Sequence, residues 1–117
     1  MEVPKFLRTA IEEPSDREES SPLVDKALKV RFSLIPAEEL LEVAKVFTTG
    51  ALKYSPHGWK GLSRELYLDA AYRHLNAYTI DTDNGELPSQ DDETYLPKLA
   101  HAVASLLILM ALDRNRV

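Results

Sequence analysis

No cysteine occurs among the 117 residues. That excludes a disulfide framework and a thiolate metal site. Three His and 19 acidic residues are left as metal ligands. An excess of positive charge is missing too. The formal net charge is −5, which argues against a broad electrostatic footprint for a nucleic acid polymer. A smaller polyanion such as a nucleotide would then need metal ions or a few well-placed cations. Long hydrophobic runs are also lacking. The longest, Ala102 to Leu112, is too short for a membrane span and contains Ser105. MEVPKFLRTA has no apolar stretch of the kind a secretion signal carries. The expectation is a protein of the cytoplasm, of a cell or of an infected host, with no membrane partner. There is no internal repeat and no Gly-rich phosphate loop. At this length one domain with one modest core is expected, and a catalytic module beside a separate binding module is not.

Residues 1–26 stand apart by composition. They carry seven acidic and four basic residues and three Pro, and EEPSDREESSP has no apolar period. This predicts a flexible acidic arm, or a segment that wraps a neighbour if the protein oligomerises. Residues 27–117 are the expected all-α domain. Its lead-in, ALKVRFSLI, alternates loosely and predicts a short strand or an extended segment. Pro36 suits the start of a helix over Ala37 to about Tyr54, where Leu40, Val43, Ala44, Phe47 and Ala51 keep a 3.6-residue period. SPHGWKG reads as a loop. Ser63 is a candidate N-cap for a second helix reaching about Thr79, with Leu66, Ala70 and Ala77 on one face and Asp69, Arg73 and Asn76 on another. An acidic loop follows, and Pro97 opens a third helix to about Asp113. That helix, LAHAVASLLILMAL, is apolar almost all round, so it should be buried between neighbours, some of them from another subunit.

Four groups of residues could carry chemistry. Glu38, Glu39 and Glu42 are spaced so that two carboxylates share a helix face and could meet one Mg²⁺ or Mn²⁺. They could equally be acids that suit a helix N-terminus. Asp69 with Arg73 and His74 reads either as a metal ligand beside a phosphate contact or as a surface ion pair worth little. His101, between two alanines in the most apolar helix, is a metal ligand or proton carrier, or a core histidine bonded to another helix. Lys53, Tyr54, His57, Trp59 and Lys60 cluster around one loop. Cation next to aromatic could hold a phosphate and stack a base, or could be helix-end cations with a Trp that closes the core.

In order along the chain, RFSLIPAEELLEVAKVFTTGALKY, the Trp-bearing HGWKG loop, YLDAAYRHLNAY, IDTDNG and LPKLAHA resemble the dATP/dGTP diphosphohydrolase family. Its members are often encoded by phages and are related to the all-α MazG-like pyrophosphohydrolases. The resemblance covers roughly Arg31 to Leu112. It implies a helical bundle completed by oligomerisation, most simply as a homodimer. It also implies metal-dependent hydrolysis of a purine deoxynucleoside triphosphate to the monophosphate and pyrophosphate, for control of a nucleotide pool or supply of a modified base. Carried over, it makes Glu38, Glu39, Glu42 and Asp69 the catalytic carboxylates. Glu39, Glu42, Asp69 and His101 become ligands of Mg²⁺ or Mn²⁺, and Lys53, Trp59, Arg73 and His74 become substrate contacts. Two positions depart from the family's pattern: Lys98 stands where a His is common, and Ser105 where an Asn is common. A protonated Lys cannot ligate a metal. Either Asp91, Asp92 and Glu93 in the preceding loop replace the missing ligand, or the metal site is weakened. The latter would leave a non-catalytic, sponge-like nucleotide binder on the same scaffold. A helical interaction protein whose acidic arm contacts a host factor is a third reading.

Overall fold

The computed structural model describes Lys5 and residues 29–115. The chain divides into two units, Met1–Ile35 and Pro36–Val117. Among its described residues the first unit holds a single 3₁₀ turn, Phe32–Leu34. Of the two alternatives expected here, a short strand or an extended segment, the strand does not form at Phe32–Leu34. Leu34 N–H donates to the Arg31 carbonyl (3.1 Å) and Ile35 N–H to that of Phe32 (3.0 Å), which pairs locally the groups a strand would offer to a neighbour. Apart from Lys5, the expected arm over 1–26 lies outside the described residues, as do Ala27 and Leu28.

The second unit is all-α, as the sequence predicted. Its described residues form helices α1 (Ala37–Lys53), α2 (Arg64–Asp83) and α3 (Lys98–Arg114) and no strand. Pro36 and Pro97 each sit one position before their helix, where the fixed φ costs nothing and no intrahelical N–H is needed. Ser63 caps α2 by accepting the Leu66 N–H at 3.4 Å. This helix runs one turn beyond the expected Thr79. It stops at Asn84–Gly85, where Glu86 N–H reaches the Asp81 carbonyl (2.8 Å) and Gly85 N–H that of Thr82 (3.1 Å). That is a Schellman closure, and it needs the positive φ of Gly85, +70°.

Helix α3 packs against both others, more extensively against α2. It runs antiparallel to α2, because Arg64 meets Asp113, His74 meets His101 and Asp81 meets Lys98. Its buried residues are mostly small: Ala100, Ala102, Ala104 and Ser105, with Ile108 and Leu109. Against Ala100 and Ala104 α1 lays Val43, with Val46 and Phe47 beside it. Leu40 and Ala44, expected on this face, point outward, because alanines admit only a narrow strip of α1. On α2 Tyr67, Ala71, His74 and Tyr78 turn inward beside Ala70 and Ala77, with Ala71 the most buried; Leu66, which shares the face of Ala70 and Ala77 by spacing, is half exposed. The expected all-round burial of α3 is met only on the sides that face α1 and α2. Leu99, Val103, Leu106, Leu107 and Met110 remain 40–68% exposed in the single chain.

Candidate functional site

Small residues face each other across α1 and α3, and they do not fill the space between. Gly50 and Ala51 on α1 and Ala104 and Ser105 on α3 border a cleft of about 860 Å³. This is within the range of about 300–1,000 Å³ usual for small-molecule sites. Phe47, Tyr54, Trp59 and Tyr67 supply aromatic wall, and Ile108 and Leu62 close the apolar side. Trp59 is held by a 3₁₀ turn, Gly58–Gly61, which His57 enters in the left-handed conformation (φ 60°). Gly58 packs closely there: a Cβ would stand 2.8 Å from the Ser55 hydroxyl oxygen, which would have to turn away. The indole is half-buried, with the His57 ring edge-on at 6.4 Å and Lys60 Nζ 5.7 Å from the ring centroid. Lys53 is next to the wall residue Tyr54, with Nζ 5.6 Å from that ring and 3.1 Å from Glu93 Oε1. The hydrogen bond and charge of Glu93 raise the Lys53 pKa, so it stays a cation. The pair is exposed and its net energy is small.

His101 forms part of the same wall. Its Nε2 is 2.8 Å from Thr94 Oγ1, and the His74 ring stacks on it with centroids 5.0 Å apart. Thr94 is in turn fixed by Asp91, whose Oδ2 accepts the N–H of Thr94 (2.9 Å) and of Glu93 (3.0 Å). Burial pushes the Asp91 carboxyl up, but the Thr94 and Glu93 N–H groups outweigh it and hold the group below its ordinary range. Burial first, and then the neighbouring His101, lowers the His74 pKa. Asp91, Thr94, His101 and His74 thus form one connected row, in which His101 lines the cleft.

The acidic candidates lie elsewhere. Glu38 and Glu39 are exposed, and Glu42 is partly buried and paired with Lys45 at 3.1 Å. Asp69 and Arg73 are exposed on α2 and form no ion pair among the described residues, whereas His74 packs on α3. Among the described residues no three of His, Asp or Glu gather where they could hold a metal ion. Glu39, Glu42, Asp69 and His101 therefore do not form one cage within a single chain. Lys98 has a partner of its own: its Nζ is 2.6 Å from Asp81 Oδ2, which also accepts the Ser89 hydroxyl at 2.7 Å. Of the loop acids, Asp91 fixes Thr94 and Glu93 pairs with Lys53.

An aromatic cleft of this size beside a cation and a histidine row suits a flat heteroaromatic ligand. Comparison with known proteins gives it a family. Residues 22–117 match the family described as dATP/dGTP diphosphohydrolase, N-terminal. The chain belongs to this family. It is 38% identical over 88 residues to the dATP/dGTP diphosphohydrolase of Salmonella phage PMBT28, a match that covers 75% of this chain and 28% of that protein. The chain thus spans little more than a quarter of the length of that relative. No solved structure matches it. The family match takes in all three helices, and with them both the cleft and the acidic face of α1. Among the described residues no helix is long and apolar enough to cross a membrane.

Of the family-implied substrate contacts, Trp59 lines the cleft, Lys53 adjoins it, and His74 backs the cleft-lining His101. Sequence reasoning missed Phe47, Tyr67 and Ser105 as cleft residues and Thr94 as the partner of His101. The one available signal was the facing of small residues, Gly50–Ala51 against Ala104–Ser105, and it has meaning only once the helix pairing is known.

Proposed function

We propose that this domain binds a purine deoxynucleoside triphosphate, with the base in the aromatic cleft, and takes part in its hydrolysis to the monophosphate and pyrophosphate. The observation that carries this reading is the cleft itself: four aromatic rings around about 860 Å³, in a chain of this family. Trp59 is the stacking surface and Lys53 the nearest cation for a phosphate. Arg73 and His74 are further substrate contacts that the family resemblance suggests. In the reaction a water oxygen bonds to one phosphorus of the α–β anhydride. The bridging P–O bond breaks, and the group on the other phosphorus leaves with the electron pair: pyrophosphate when water attacks the α-phosphorus, the monophosphate when it attacks the β-phosphorus. A carboxylate takes the water's proton, with Glu38, Glu39, Glu42 and Asp69 as candidates.

Mg²⁺ or Mn²⁺ is the cofactor this reading expects. The ion would neutralise charge on the triphosphate. Glu39 and Glu42 offer the hard oxygen donors it takes. One chain does not gather the full ligand set, so we assign its completion to a second copy. The exposed apolar side of α3 favours such a homodimer, since a patch of Leu99, Val103, Leu106, Leu107 and Met110 is costly to leave in water. The competing reading is a nucleotide binder without turnover. A panel of deoxynucleoside triphosphates, assayed in parallel for binding and for pyrophosphate release with Mg²⁺ or Mn²⁺, separates the two. Release from dATP or dGTP supports the hydrolase. Tight binding with no release supports the binder, and neither binding nor release refutes both.

A further inference from the structure

Ser105 is only 7% exposed, yet among the described residues its hydroxyl has no hydrogen-bond partner. Every described side-chain nitrogen or oxygen that is fully sealed has a partner. The Ser105 oxygen is therefore not sealed, and the open space its residue borders is the cleft. Other helical hydroxyls behave differently. Thr48, Thr49, Thr79 and Thr82 each donate to a carbonyl three or four residues back, which is the usual resting place of such a group. Ser105 leaves its hydroxyl for something else.

We propose that the Ser105 hydroxyl reads the edge of the purine stacked against Trp59. This deepens the nucleotide reading above and rests on it. Aromatic walls hold any base and cannot tell one edge from another. A hydroxyl both donates and accepts, and it rotates to suit. Adenine presents an amino donor on carbon 6 where guanine presents a carbonyl acceptor. One rotating hydroxyl serves both, so Ser105 recognises a polar group on carbon 6 without choosing between the two purines.

The test uses the full chain and three monophosphates that are not hydrolysed: dAMP, dGMP and deoxynebularine monophosphate, whose purine has no group on carbon 6. Calorimetry should show the first two weakened about tenfold by Ser105→Ala, about 1.4 kcal/mol, with their ratio unchanged. Ser105→Thr, which keeps a hydroxyl, should restore both. The deoxynebularine nucleotide should bind the parent chain as weakly as dAMP binds Ser105→Ala, and the substitution should weaken it no further. Equal weakening of all three nucleotides would reduce Ser105 to a packing residue and overturn the proposal. So would unchanged affinity for dAMP and dGMP. Trp59→Ala separates the two levels. If it leaves dAMP and dGMP binding intact, or if a second copy proves to fill the cleft, the base does not lie there and both readings fall. If Trp59→Ala abolishes binding and Ser105→Ala does nothing, only the role of Ser105 falls.

Discussion

Removing Trp59 should weaken nucleotide binding by a calculable amount. A base stacked on an aromatic side chain gains about 1–3 kcal/mol. At about 1.4 kcal/mol per tenfold, Trp59→Ala should raise the Kd for dAMP or dGMP by about 5- to 150-fold. The upper half of that range is expected, because Trp59 lines a cleft with three other aromatic rings and stacking there displaces water from both partners. Trp59→Phe keeps a ring and should lose less. The chain contains a single Trp, so its fluorescence reports on this one site. Nucleotide should quench the parent chain with the same Kd that calorimetry gives. Because Trp59 is half-buried, truncation also costs stability. The comparison therefore needs variants whose helical circular dichroism matches the parent at the titration temperature. A folded Trp59→Ala chain with a Kd within twofold of the parent would refute the placement of the base.

Three other outcomes follow from the same geometry. Glu42→Gln keeps the size of a half-buried side chain and removes its charge; turnover should fall at least about tenfold, about 1.4 kcal/mol in the barrier, and an active folded variant would remove Glu42 from the acidic site. Burial holds the His74 pKa below its ordinary 6.5, so as pH falls through that value the unfolded chain takes up the proton first. Its contribution to stability is present above about 6.5 and is lost below it; the ring should titrate below 6.5 by NMR, and His74→Gln should flatten the acid-side fall in Tm. Light scattering at micromolar concentration should give a dimer or larger species that Leu107→Glu disperses, and a stable parent monomer would contradict the proposed completion of the site.

The helix starts were legible because they depend on local chemistry. Pro36, Ser63 and Pro97 each act within one turn of their own position. The end of α2 was not: the polar IDTD segment reads as loop by composition and hides the last helical turn, which closes only at Asn84–Gly85. Faces were harder. Leu66 shares a face with Ala70 and Ala77 by spacing and yet stands half exposed, whereas α3 offers alanines and His101, against which Ala71 and a stacked His74 fit. The cleft depends on two such face choices and on the turn at Gly58, so spacing along one helix could not reveal it. Lys98 shows the limit of reading a motif position by position. Its reach to Asp81 crosses from α3 to the last turn of α2, a pairing set by the antiparallel packing and not by the local sequence.

The hydrolysis proposed above is cleavage of the α–β anhydride of a purine deoxynucleotide held in the cleft. Phosphorus NMR of dGTP incubated with the full chain and Mn²⁺, with the metal chelated before recording, tests it most directly. The expected result is growth of the pyrophosphate singlet in step with that of dGMP, and loss of both in Glu42→Gln. Inorganic phosphate with dGDP, tripolyphosphate with the nucleoside, or an unchanged dGTP spectrum from a chain that binds the nucleotide would contradict it.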